Sequence, residues 1–98
     1  MTSARATAIV HDKPQWYTIY ETDYRHLGIY PHRHIMDVNV HVSAAGFSMG
    51  LPLTRVESAK VDAGEWAYFD ALAEAVQDNP FRYASVPIDT SSLKGGPA

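Results

Sequence analysis

Two runs near the middle of the chain alternate apolar and polar residues with a period of two. Met36, Val38, Val40 and Val42 alternate with Asp37, Asn39 and His41, and after Ser43-Ala44-Ala45-Gly46 the residues Phe47, Met49, Leu51 and Leu53 alternate in turn. That period belongs to a strand with one face on a core. The two runs therefore read as a β-hairpin. If Ser43 to Gly46 form the turn, Val42 faces Phe47, Val40 faces Met49, Val38 faces Leu51 and Met36 faces Leu53. Every apolar residue then falls on one side, as register demands. On the reverse side His41 lies opposite Ser48, Asn39 opposite Gly50 and Asp37 opposite Pro52, so small partners leave the polar trio uncovered.

Residues 15–20 (QWYTIY) are aromatic and β-branched, which predicts another strand, with a shorter one at residues 7–11 before it. Between the strand and the hairpin, Thr22 is placed to cap a single helical turn ended by Gly28. Asp62-Ala63-Gly64-Glu65 resembles a capping box and predicts a helix start. The helix carries Trp66, Phe69, Ala73 and Val76 on one stripe, flanked by Leu72, and Asn79-Pro80 stops it. Residues 81–88 alternate as a last strand, with Pro87 marking an edge or an end. The fold class expected is α+β: an antiparallel sheet of about four strands with one main helix packed on one face. The element order is that of a degenerate ferredoxin-like sandwich.

Ninety-eight residues suit a single domain, with a core over residues 7–89 and small, polar, glycine-rich tails at 1–6 and 90–98 that are expected to be flexible. The chain has no cysteine, which excludes disulfides, thiolate metal sites, iron–sulfur clusters and cysteine nucleophiles. Its net charge of −3 is opposite to the basic excess that nucleic-acid binding requires, so no nucleic-acid partner is expected. No apolar run reaches the roughly 20 residues that span a bilayer, and the first residues lack a signal-peptide core. A cytoplasmic protein without membrane contact is the expectation.

Four of the five histidines, His26, His32, His34 and His41, fall between Arg25 and Val42. His32 and His34 stand two residues apart, a spacing at which two imidazoles on an extended segment share one metal ion. The parity argues against it. A strand running unbroken from residue 32 carries both rings to the core face with Met36 and Val38, so no metal and no other cofactor is expected. Asp37, Asn39 and His41 combine an acceptor, an amide and a group titrating near neutrality on one strand face. Asp37 and His41 lie roughly 13 Å apart along the strand, so they act together only through a substrate or a water. From Arg25 to His34 the chain carries Arg25, His26, His32, Arg33 and His34 with Tyr30 and no acid, which suits an anionic ligand. Gly-rich phosphate loops, nucleophile elbows and HExxH are absent from the sequence.

Two functions follow as expectations. The first is a small cofactor-free acid–base enzyme or ligand-binding domain acting on an anionic small molecule, of isomerase, lyase or cyclase type. His41 and Asp37 would be its catalytic pair. Tyr30 and Arg33 would anchor the anion, with Asn39, His32 and His34 completing the binding surface. The second is a non-catalytic interaction module, such as an accessory subunit or inhibitor of a larger protein, suggested by the small size and six tyrosines. A homo-oligomer is expected in either case. One helix covers one sheet face only, and an outward Trp16 or Tyr17 beside Ser48 and Gly50 would leave a patch for a second copy. A concave pocket floored by residues 37, 39 and 41 would favour the ligand-binding reading, a flat face the module.

Overall fold

The central hairpin forms as the alternation predicts, in a register two residues from the expected one. The structure, a computed structural model, describes residues 4–23, 33–42 and 45–93, without the side chains of residues 41, 42 and 45. β3 (His34–Val42) pairs with β4 (Ala45–Pro52): Val40 faces Phe47, Val38 faces Met49, Met36 faces Leu51 and Val42 faces Ala45. Two residues, 43 and 44, link the strands in place of four. The shorter connection adds the Val42–Ala45 pair to the ladder. A slip of two preserves strand parity, so Met36, Val38, Val40, Met49 and Leu51 keep their predicted core face. The reverse face changes: Asp37 now lies opposite Gly50, and Asn39 opposite Ser48. Pro52 moves to the strand end opposite Ile35, where its missing N–H does least damage.

β1 (Ala4–Lys13) and β2 (Tyr17–Thr22) make a second antiparallel pair, and β2 joins the hairpin with Tyr17 against Val38 and Ile19 against Met36. β1 begins three residues before the expected start at residue 7, with Ala4 and Ala6 buried. Thr22 ends β2 and is buried there. The rest of the expected helical turn lies outside the described residues. The β1–β2 connection is tight: the Trp16 amide donates to the Lys13 carbonyl at 2.9 Å, with Pro14 and Gln15 at the two central positions. Gln15 has φ 68°, the left-handed conformation that a type II turn demands and that favours glycine.

The sheet has five strands in the order β4-β3-β2-β1-β5, where β5 (Ile88–Asp89) runs parallel to β1, placing Ile88 beside Ala4. This corrects the expected all-antiparallel sheet of about four strands. The ferredoxin-like order is also absent, because β1 to β4 are successive antiparallel neighbours, whereas its crossovers join parallel strands. The long final strand expected at residues 81–88 does not form. Pro80–Arg82 is a single 3-10 turn, and ladder pairing begins only after Pro87, which has no N–H to give. Phe81 is 84% exposed, so its apolar character marked no core position.

Among the described residues there are two α-helices where one main helix was expected. α1 (Arg55–Asp62) starts from a capping box: the Glu57 amide donates to Thr54 Oγ1 at 3.1 Å and the Thr54 amide to Glu57 Oε1 at 2.9 Å. The box assigned to residues 62–65 is instead the break between the helices. Asp62 ends α1, Gly64 takes φ 72°, and α2 (Trp66–Asp78) opens at Glu65 with no side-chain cap. Along α2 the predicted stripe holds, with Phe69, Ala73 and Val76 buried. These meet Tyr17, Ile19, Met36, Val38, Val40, Met49, Leu51 and Leu53 on one sheet face, with Val61 of α1. Burial of each large aliphatic or aromatic side chain there contributes about 1.5–3 kcal/mol. A polar clamp ties α2 down: Asp70 accepts from Tyr17 Oη at 2.5 Å and from Lys13 Nζ at 2.8 Å. Nearby, His11 stacks on Trp66 with ring centroids 4.0 Å apart.

Gln15→Gly is expected to stabilise the protein by about 0.5–1 kcal/mol, because relief of left-handed strain outweighs the extra freedom of the unfolded chain. Thermal unfolding measures this. A lowered midpoint would mean that the Gln15 side chain supplies compensating contacts.

Candidate functional site

The site is built on the sheet face turned away from the helices. Strand parity sends Tyr17 and Ile19 of β2 into the core, and hence Thr18 and Tyr20 to the other side. The same rule puts Ile35, Asp37 and Asn39 of β3 and Ser48 and Gly50 of β4 on that side. The sequence pattern predicted that this face is uncovered. In the structure the C-terminal segment crosses it.

That crossing depends on Gly50. The Val86 amide donates to the Gly50 carbonyl at 2.9 Å, and a Cβ at position 50 would sit 2.5 Å from the Val86 oxygen and 2.8 Å from Ile88 Cδ1. No side chain fits at that approach. One residue further along, Pro87 accepts from the Ala4 amide at 2.9 Å, and Ile88 and Asp89 then pair with β1. Residues 86–90 thus run from the β4 side of the sheet to β1, and the sheet comes close to a closed barrel. Ala4 and Ile35, with Val86 and Ile88, make a small second core under the segment. Beside it lies a cavity of about 360 Å³ lined by Tyr20, Asp37, Ser48, Gly50, Val86, Pro87, Ile88 and Thr90.

Asp37 is the charged group of this lining. Its Oδ1 is buried and has no hydrogen-bond partner. Burial pushes its carboxyl above the ordinary aspartate range, against the Ser48 hydroxyl, which bonds the carboxylate and pulls the other way. Tyr20 is pushed up as well, first by burial and then by the negative charges of Asp37 and Asp12, while its bond to the Thr18 hydroxyl opposes the rise. Asp12 lies on the same side and accepts from Thr18 Oγ1 at 2.8 Å. The cavity therefore holds a carboxyl that ionises reluctantly beside a phenol that keeps its proton. A carboxyl tuned this way gives and takes protons closer to neutrality than a solvated one.

The other expected site residues scatter. His41 shares the parity of Asp37 on β3, and its side chain lies outside the described residues, as do Tyr30 and His32. Asn39 is half-buried and outside the cavity lining; its carbonyl accepts from Gln77 Nε2 at 3.0 Å. The Arg33 guanidinium is bonded to the Asp62 carboxylate at the end of α1. His34 follows the parity rule onto the core face, where Nδ1 lies 3.0 Å from Ser58 Oγ. Burial, and secondarily the Arg33 charge, hold its ring below the usual histidine range, so the neutral form is the one kept there. Among the described residues no three His, Asp or Glu side chains are grouped as metal ligands.

The pocket thus gathers Asp37 with residues the sequence did not single out as ligand-binding. Tyr20 was legible once the inward face of β2 was known. Ser48 and Gly50 were visible only as small partners on the wet face. Nothing in the sequence pattern signalled that residues 86–90 would form the opposite wall.

For Asp37 the folded-state pKa lies above the unfolded one. Its favourable contribution is therefore complete below the unfolded value near 3.9, and is lost as pH rises through the folded value. Asp37→Asn removes that loss. The variant is expected to be more stable than wild type at pH 7, by about 1 kcal/mol, with the gap shrinking toward pH 3. Thermal melts across that range check it, and an Asp37→Asn that is less stable at pH 7 would contradict the burial of an unpaired carboxylate.

A scan against protein-family models and searches of curated proteins and of solved structures found no match for this chain.

Proposed function

We propose that the protein is a small-molecule-binding domain of the acid–base kind, with its ligand held between the outer sheet face and residues 86–90. The observation that carries this reading is the cavity itself, with the buried, unpartnered Asp37 oxygen at its wall. Structural carboxylates are normally paired or solvated, and an unpaired one is kept where binding or chemistry uses it. Asp37 is the proton donor or acceptor in this proposal. Tyr20, Ser48 and Thr90 supply hydroxyls that orient the ligand, and Val86, Pro87 and Ile88 supply an apolar wall. Proton transfer without a cofactor, as in an isomerisation or elimination, is the chemistry such a set supports.

The role of Arg33 as an anion anchor finds no support in this arrangement, since its guanidinium is engaged by Asp62. A concave site at Asp37 favours the ligand-binding reading over the interaction module.

Amide-detected NMR with a small-fragment library tests the proposal. Fragments that shift Asp37, Ser48 and Gly50 are expected with wild type, and Ser48→Phe is expected to weaken them about tenfold or more by filling the cavity. Position 48 is exposed on β4, so the larger side chain leaves the core alone. Fragments that bind Ser48→Phe as well as wild type would overturn the reading.

A further inference from the structure

The described lining of the cavity lacks one kind of group. Tyr20, Ser48 and Thr90 bring hydroxyls, Val86, Pro87 and Ile88 bring apolar surface and backbone, and Asp37 brings a carboxyl. No described lining residue is cationic. The described cations with ion-pair partners face elsewhere: Lys13 is paired with Asp70 under α2, Arg33 with Asp62, and Lys60 with Glu65. Arg5 stands in register with Asp89 on β5 and is outside the lining. A second carboxylate, Asp12, lies on the same sheet face and adds to the field felt by Tyr20.

We infer that the ligand of this cavity carries a positively charged nitrogen, an ammonium or amidinium, that donates to Asp37. The inference rests on the small-molecule reading above and adds the charge and donor class of the ligand. A cation supplies both things that the site lacks. Its N–H groups give Asp37 Oδ1 the partner missing from the protein, and its charge offsets a carboxylate that the fold has desolvated. The remaining N–H groups meet hydroxyl oxygens of Tyr20, Ser48 or Thr90, each able to accept. The apolar wall of Val86, Pro87 and Ile88 takes the carbon skeleton. An anion would instead face Asp37 and Asp12 with no positive group in the described lining to receive it. A volume of about 360 Å³ admits a compact ligand, in the lower part of the usual range for binding pockets.

Three probes of one shape separate charge from fit: benzylammonium, benzyl alcohol and benzoate, titrated into full-length protein at pH 7 and followed by the amide signals of Asp37 and Gly50. Benzylammonium is expected to bind about tenfold tighter than benzyl alcohol, with benzoate weaker than either. In Asp37→Asn the preference for the ammonium over benzyl alcohol is expected to vanish, the two probes then binding within about twofold of each other. Asp37→Ser gives the same comparison should the asparagine amide rearrange the site. Benzoate binding as tightly as benzylammonium, or an ammonium preference that survives both variants, overturns the inference. Equal binding of benzylammonium and benzyl alcohol overturns the charge assignment and leaves the cavity reading standing. Silence from all three probes, in wild type and Ser48→Phe alike, overturns both.

Discussion

The hydrogen bond from the Val86 amide to the Gly50 carbonyl shapes everything on the outer sheet face. The backbones meet there so closely that a single methyl group would collide with the Val86 oxygen, and glycine alone allows it. From that contact the chain reaches across to β1, where Ile88 pairs with Ala4 and closes the second small core. Without it the face bearing Asp37 would be an ordinary wet surface of an antiparallel sheet, with each carboxylate solvated. With it, Asp37 is enclosed and its oxygen loses water without gaining a partner.

The two faces of the sheet divide the labour. The helix face supplies stability: a continuous apolar cluster from Tyr17 to Val76, with Tyr17 and Lys13 clamped on Asp70 and His34 on Ser58. The buried polar groups named there meet partners, as a core requires. On the outer face, Asp37 is kept at a cost in stability that its bond from the Ser48 hydroxyl offsets only in part. Among the described residues His11 Nε2 and Trp16 Nε1, in rings packed on the helix side, are also buried without partners, and Asp37 Oδ1 is set apart from them by lining the cavity.

Much of this was legible in the sequence and some was not. Period-two alternation located the hairpin and its core face correctly, because parity survives a register slip of two. The same slip hid the important neighbour, since it moved Gly50 rather than Pro52 opposite Asp37. α1 escaped notice although Thr54-x-x-Glu57 is a full capping signature, because the more acidic Asp62–Glu65 stretch lay just before the aromatic stripe. β1 was legible only in its middle, residues 7–11, for a physical reason: its register shifts between Ala6 and Ala8 and again between Ile9 and His11, which breaks the period. The histidine-rich stretch drew attention to chemistry, yet His34 turned inward as its parity required, and among the described residues Asp37 is the expected site residue that the structure places in the cavity. The cavity wall at residues 86–90 depends on pairing far away in sequence, which no local pattern encodes.

The central claim is that closure at Gly50 desolvates Asp37, and titration of the Asp37 carboxyl carbon by NMR tests it most directly. The account predicts an Asp37 pKa clearly above that of solvated aspartates in wild type. It predicts a return toward the ordinary value in Gly50→Ala, where the added Cβ forces residues 86–88 away from β4. An Asp37 that titrates like a surface carboxylate in wild type, or one that stays raised in Gly50→Ala, would contradict it.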